Sequence, residues 1–309
     1  MTASLGIDIG GTKILGVLRS DDGAVLAECR RSSPYDTEAL LVEIDATIDE
    51  LVRASSRDQI IGVGIGIAGM VTPDGRLRYG PNLPGVEEFD VRGEVHRRRG
   101  LSVLVDNDAN VAGFAEVAQG AARGARHALV VTLGTGIGGA IIADGVIQRG
   151  AHGFAGEIGH WTVMRDGPRC ACGELGHWEA IASGTALGRL AAAAVADGRL
   201  DLTPATVDGV SVGRAAAAGN PGALAVIDDY ADNVAIGLAG LANILDPECI
   251  VIAGGVVELG PTLFRPLGAA FVRHLEGHEF RPPIPIVPAA LGERAGAIGA
   301  AAMAAREFG

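Results

Sequence analysis

A chain of 309 residues is long enough for two domains or one large one. With 48% hydrophobic and 20% charged residues it can bury a substantial core, which argues against global disorder. A net charge of −12 and a pI near 5.0 argue against a nucleic-acid partner, which usually needs a basic face.

The N-terminus shows no charged segment followed by an apolar one, and no apolar run reaches the roughly 18–20 residues that span a bilayer. No membrane association is expected, and the expected location is cytoplasmic. Residues 5–9 read as a buried strand, Gly10-Gly11-Thr12 as a turn, and 13–19 and 24–30 as further strands, giving a glycine-turned hairpin. Asp8 stands at the strand end, just before a turn whose backbone N–H groups can approach phosphate oxygens. A carboxylate in that place suits Mg2+, which takes few carboxylates together with phosphate oxygens. Lys13, the chain's only lysine, reads either as a strand residue beside this loop or as a catalytic group. The four cysteines are too few for a disulfide scaffold; Cys29 and Cys249, in strand-like surroundings, read as buried free thiols.

Helical periodicity runs over Thr37–Ala54, with Leu40, Leu41, Ile44, Ile48, Leu51 and Val52 on one side. Residues 60–67 look like a central strand. Asn82 lies in a turn loop, Pro81-Asn82-Leu83-Pro84-Gly85, and Arg92, Arg97, Arg98 and Arg99 read as a solvated helix end. A strand over 101–105 leads to a helix over 107–119 that starts on a polar cap. At this junction, Val105-Asp106-Asn107-Asp108-Ala109-Asn110, a carboxylate can accept the proton of an attacking hydroxyl; Asn107 and Asp108 read equally well as helix caps.

The pattern then repeats. A strand over Ala128–Leu133, the turn Gly134-Thr135-Gly136 and a returning strand over 137–142 echo the first hairpin and point to two related halves. Neither hairpin matches a P-loop, which needs Gly-Lys-Ser/Thr opening a helix. Between Gly153 and Glu179 sit His160, Cys170, Cys172 and His177, with Gly173 and Gly176 at the bends. Two thiolates and two imidazoles make a closed tetrahedral zinc set of structural type; the plainer alternative is two reduced thiols and two ordinary histidines. Glu157 and Glu179 bracket this knuckle, and two acceptors held at fixed separation suit a polyhydroxyl ligand. Helices follow over 185–197, 211–219 and 221–245, the last starting at Asn220-Pro221 and stopping before Asp246-Pro247. A strand over 250–253 ends in Gly254-Gly255, another covers 284–287, and a terminal helix covers 291–306. The class is α/β, with a first lobe over 1–119 and a second over 120–290, divided near Gly120 on the repeat alone.

Gly156-Glu157-Ile158-Gly159-His160, with the stretch from Cys170 to Glu179 and the Asn107-Asp108-Ala109-Asn110 motif, resembles the ROK family of bacterial sugar kinases and sugar-responsive repressors. The usual family knuckle has a third cysteine where this chain has His177, which leaves the metal site one unit less negative. The resemblance implies a two-lobed actin-like (ribonuclease H-like) fold with a central cleft, residues 291–309 crossing back to the first lobe, and a homodimer. It implies ATP- and Mg2+-dependent phosphorylation of the primary hydroxyl of glucose or a close relative, with structural Zn2+ on His160, Cys170, Cys172 and His177. Asp108 is then the general base. Asn82, Asn107, Asp108, Glu157, His160 and Glu179 contact the sugar. Asp8, Gly10, Gly11, Thr12, Gly134, Thr135, Gly136, Gly254 and Gly255 serve the nucleotide and its metal. The start of the last helix near Gly292 would also flank the nucleotide, where this chain carries Glu293-Arg294 in place of a small polar residue. An amino-sugar kinase is the alternative within the family. A sugar-sensing regulator is less expected, because Asp8 comes too early to leave room for a helix-turn-helix.

Overall fold

The computed structural model describes residues 2–55, 59–203 and 206–309. In chain order the first elements are β1 (Thr2–Ile9), β2 (Lys13–Ser20), β3 (Val25–Ser32), α1 (Thr37–Ala54), β4 (Gln59–Ile67), the small hairpin β5 (Met70–Val71) and β6 (Leu77–Tyr79), α2 (Val91–Arg99), β7 (Val103–Asn107) and α3 (Asp108–Gln119). Then come β8 (Ala128–Leu133), β9 (Ile137–Ala143), β10 (Val146–Ile147), α4 (Glu179–Ala182), α5 (Gly184–Ala196), α6 (Gly209–Ala217), α7 (Pro221–Leu245), β11 (Cys249–Ala253), α8 (Pro261–His274), β12 (Ile286–Pro288) and α9 (Ala295–Phe308). Two five-stranded sheets have the orders β3-β2-β1-β4-β7 and β10-β9-β8-β11-β12. The chain falls into two compact units. One is Met1–Gly124 with Ala140–Gly156 and Ala290–Gly309; the other is Ala125–Gly139 with Glu157–Ala289.

In the first unit β1, β2 and β3 form an antiparallel meander, while β4 runs parallel to β1 and β7 parallel to β4. Parallel strands need cover on both faces, and the sequence supplies it with two unlike helices. Helix α1, capped by the Asp36 side chain on the Ala39 N–H (3.0 Å), buries Leu40, Ile44, Ile48 and Leu51 in one cluster with Leu5, Ile7 and Ile9. The other helix is α9, alanine-rich and buried over most of its length. A Cβ on Gly6 would land on the Ala297 carbonyl oxygen, and one on Gly64 on the Ala300 carbonyl oxygen, so these glycines let helix backbone rest on strand backbone.

Strand β7 starts two residues later than the sequence pattern indicates and reaches Asn107, because Asp106 and Asn107 pair with Gly66 and Ile67 of β4. The chain therefore leaves the sheet directly into α3, whose N-cap is Asn107. Three of the four clustered arginines form the last turn of α2, while Arg92 stands in its first: Arg97 pairs with Asp90 and Glu94, Arg98 with Glu38 and Asp45, and Arg99 with Asp45 and Asp49.

In the second unit α7 opens on the Asn220 cap with Pro221 in the first turn and ends at Asp246 in the left-handed region (φ 45°). Both tryptophans pack on α7. The Trp178 ring covers Gly237 and donates its indole N–H to the Asn233 carbonyl (3.0 Å), and Trp161 covers Gly240. The last strand is Ile286–Pro288 rather than 284–287, since Pro283 and Pro285 have no N–H to give to a ladder. A turn of 3-10 helix, Gly292–Arg294, precedes α9, which starts later than the pattern indicates. Cys29 is buried as expected, while Cys249 is only partly so.

Candidate active site

Asp8 is the next-to-last residue of β1, and the turn after it is closed by the Gly10 N–H on the Lys13 carbonyl (3.0 Å). A Cβ on Gly11 would stand 2.7 Å from the Asn82 carbonyl oxygen, so the turn and the Asn82 loop touch through backbone. The Asp8 carboxylate lies over Gly296, where any side chain would strike it. Burial raises the Asp8 carboxyl to about 7; the neighbouring Asp108 charge adds to this and Lys13 opposes it. A buried carboxylate raised in this way by a second carboxylate nearby forms with it a donor set suited to a divalent cation. Lys13 does not reach free into this space: its Nζ pairs with Glu293 (3.0 Å), which also holds Arg30 (3.0 Å).

Asp108 is the first residue of α3, where the helix dipole favours an anion. Burial nevertheless raises its carboxyl above the ordinary range, against the hydrogen bonds from the Ala109 N–H and the Asn107 side chain. Its Oδ1 accepts the Ala109 N–H (2.9 Å). Asn107 is occupied at both ends: Oδ1 accepts the N–H groups of Ala109 and Asn110 (2.9 and 3.2 Å), and Nδ2 donates to the Gly69 carbonyl (3.0 Å). Asp106 is consumed outright. Its Oδ1 accepts the Asn107 N–H and Asn110 Nδ2 (2.8 and 2.9 Å), and its Oδ2 accepts Arg149 Nε and Nη2 (2.7 and 2.6 Å). Of the two aspartates at this junction Asp108 is the less committed: it holds no cation, whereas Asp106 is gripped by Arg149.

In the second unit the 134–136 turn is tied to the start of α5: the Gly184 N–H donates to the Gly134 carbonyl, and the Thr185 hydroxyl to the Thr135 carbonyl (both 2.8 Å). Gly254, at φ 92°, passes the Leu133 carbonyl too closely for any side chain. Beside them opens a cavity of about 850 Å3 bordered by Gly134, Thr135, Gly255, Val256, Arg214 and Leu259. Arg214 and the apolar residues of α6 carry no motif, and nothing in the sequence marks them.

The four knuckle residues come together. One ligand atom from each of His160, Cys170, Cys172 and His177 lies within 4.8 Å of all the others. His160 Nδ1 stands 3.8 Å from the Cys170 sulfur, and His177 Nδ1 3.2 Å from the Cys172 sulfur. Zinc bonds of about 2.3 Å to sulfur and 2.0–2.1 Å to nitrogen give tetrahedral edges of roughly 3.3–3.8 Å; the two sulfur–nitrogen pairs lie close to these, so the residue types and their grouping suit zinc. Burial pushes the Cys170 thiol up to about 12, with the Cys172 thiol and the Glu179 carboxylate adding to it; a bound cation would displace that proton. His160 Nε2 lies 3.9 Å from Glu157. Glu179 does more than bracket the knuckle. Its Oε1 accepts the Cys170 thiol (3.3 Å) and its Oε2 the Ile137 N–H (2.8 Å), so one carboxylate joins the knuckle to the second glycine hairpin.

Among the expected residues, Asp8, Gly10, Gly11, Thr12, Asn82, Asn107 and Asp108 belong to the first unit. Gly134, Thr135, Gly136, His160, Cys170, Cys172, His177, Glu157, Glu179, Gly254 and Gly255 belong to the second. Gly292 and Glu293 start the turn into α9, and Glu293 is committed to Lys13 and Arg30.

The family model for the ROK family matches residues 4–307. A glucokinase of Streptomyces coelicolor is 35% identical over 314 residues, covering 98% of each chain. The structure of a ROK family glucokinase from Streptomyces griseus in complex with glucose and AMPPNP superposes with a TM-score of 0.85 at 35% identity, over 98% of this chain and 99% of that one. A ROK hexokinase from Thermus thermophilus gives 0.85 at 34% identity, over 99% of both chains.

Proposed function

This chain belongs to the ROK family and has its two-lobed actin-like α/β fold; from that premise we propose that it is an ATP-dependent hexose kinase acting on the 6-hydroxyl of glucose or a close relative. The observation that carries the reading is Asp108: a carboxylate without a cation partner, at the mouth of α3 and close enough to Asp8 to raise it, in a chain matched over 98% of its length by a glucokinase.

In the reaction the sugar O6 attacks the γ-phosphorus, the bond from that phosphorus to the bridging oxygen breaks, and ADP leaves with the bridging oxygen. Asp108 takes the proton from O6. Phosphoryl transfer asks the protein mainly for positioning and charge stabilisation, which fits a site built from backbone turns and a few carboxylates. Asp8 would hold Mg2+, which when bound neutralises phosphate charge. The 10–12 turn, the 134–136 turn and Gly254-Gly255 would offer backbone N–H groups to phosphates, and the cavity beside Gly134 has room for the nucleotide base. His160, Cys170, Cys172 and His177 would hold structural Zn2+. Asn82, Asp108, Glu157, His160 and Glu179 would hold sugar hydroxyls, with Asn107 acting by capping α3 and steadying Asp108. Of these, Asp108, His160 and Glu179 are half-buried, so a sugar lacking the matching hydroxyl would leave them poorly paired, which is how the site would discriminate.

The second unit also exposes Phe280 (92%) and Ile244 (67%), and we place a homodimer contact among the helices after Thr185. Sedimentation at a single 31.3 kDa would contradict it. Among the described residues no helix is long and apolar enough to cross a membrane, and a cytoplasmic location accords with the use of ATP. The function itself is tested by a panel of hexoses and amino sugars in a coupled ADP-release assay. Glucose or a near epimer should give the highest kcat/KM. A clear preference for N-acetylmannosamine, N-acetylglucosamine or kanosamine would make it an amino-sugar kinase, and sugar binding without turnover would make it a sensor.

A further inference from the structure

We infer that Arg149 is a positioning residue for phosphoryl transfer, locking Asp106 and through it the first turn of the helix that presents Asp108. The inference rests on the reading of Asp108 as the base.

Arg149 lies beyond β10, in no motif and far in sequence from the strand-to-helix junction. Its guanidinium nevertheless grips one oxygen of Asp106 with two nitrogens, Nε at 2.7 Å and Nη2 at 2.6 Å. A two-nitrogen grip fixes direction as well as distance. The other Asp106 oxygen holds the Asn107 N–H and the Asn110 side chain. Asn107 in turn caps α3 and reaches the Gly69 carbonyl. Asp108 sits between Asn107 and Asn110, so both of its flanks are referred to Asp106. Asp106 is 4% exposed, and its charge inside the protein is answered by Arg149.

Arg149 holds a second piece of chain with its backbone. Its carbonyl accepts the Ala155 N–H (3.0 Å), and Gly153 just ahead passes the Val71 carbonyl too closely for any side chain. This is the strand of chain that continues into Glu157 and His160. One residue thus sets both the entry of α3 and the entry of the segment expected to hold the sugar. Displacing a base by about 1 Å can cost a hundredfold in rate, so such a clamp should be read in kcat.

A cavity of about 270 Å3 borders Asp106 and Arg149, together with Val105, Val71 and Phe308. A small planar cation has access to the Asp106 carboxylate once the arginine side chain is removed.

The experiment compares wild type, Arg149→Ala, Arg149→Lys and Asp108→Asn in the coupled ADP assay, with KM for glucose and ATP, melting curves, and millimolar guanidinium chloride added below denaturing levels. Arg149→Ala should lose roughly 10- to 100-fold in kcat with KM for ATP nearly unchanged. Guanidinium should restore several-fold of that loss and leave wild type and Asp108→Asn unaffected. Arg149→Lys, a point charge without the fork, should fall between, and carries the test should the alanine variant not fold. Unaltered kcat in the arginine variants, or a loss that tracks the melting temperature and ignores guanidinium, overturns the inference alone. A wild type with no sugar-dependent ADP release overturns it together with the kinase reading, and near-normal kcat in Asp108→Asn removes the base on which it rests.

Discussion

Replacing Asp8 by asparagine should stabilise the Mg2+-free protein at alkaline pH. Burial, reinforced by Asp108, raises this carboxyl from 3.8 to about 7. A group whose folded value lies above its unfolded value contributes its stability in full below the unfolded value, and loses it as pH rises through the folded one. Here the window runs from about 4 to about 7. Some three units at 1.36 kcal/mol each set a ceiling of about 4 kcal/mol on what the ionised carboxylate costs above that window. Asp8 keeps some contact with solvent, so screening reduces the figure to roughly 1–2 kcal/mol. Asparagine has the same shape and never ionises. In melts without Mg2+ or nucleotide, Asp8→Asn should match wild type near pH 5 and exceed it by roughly 2–8 °C at pH 8, taking 2–4 °C per kcal/mol for a unit of this size. Added Mg2+ should raise wild type alone, and the variant should be close to inactive. A variant that parallels wild type from pH 5 to 8.5, or melts lower throughout, would refute the reasoning.

Two further outcomes concern the metal and the core. Purified wild type should carry one zinc per chain by metal analysis, retained in His177→Cys, weakened in His177→Ala with a raised KM for sugar, and lost on acidification as protons compete for imidazole and thiolate. Gly64→Ala puts a methyl group on the Ala300 carbonyl, and should cost about 1–3 kcal/mol or more in denaturant melts, while Gly268→Ala in α8, where a Cβ meets nothing within 4 Å, should cost nothing.

Much of this site could be read from the chain because its signals are local. A carboxylate before a glycine turn, an asparagine cap ahead of a helix, and four ligands within eighteen positions each act through neighbours in sequence, and the structure shows each as a single compact feature. What stayed hidden depends on partners that fold brings from afar. Asp106 and Asp108 look alike as residues; only the Arg149 contact, 43 positions away, shows that Asp106 is spent. Glu179 was legible as an acceptor near the knuckle, but its bond to the Ile137 N–H requires knowing where the second hairpin lies, 42 positions earlier. The glycines of β1 and β4 read as weak strand formers until α9, at the far end of the chain, is seen to rest on them. Proline displaced the last strand, because a ladder needs donors that Pro283 and Pro285 lack.

The central claim is that this chain phosphorylates a hexose with Asp108 as the base. The most direct test is Asp108→Asn, with sugar-dependent ADP release and glucose binding by calorimetry measured on the same preparations. Wild type should release ADP only with sugar and ATP present, and the variant should bind glucose with similar affinity while kcat falls by roughly a hundredfold to ten-thousandfold. Near-normal kcat in Asp108→Asn would contradict the account.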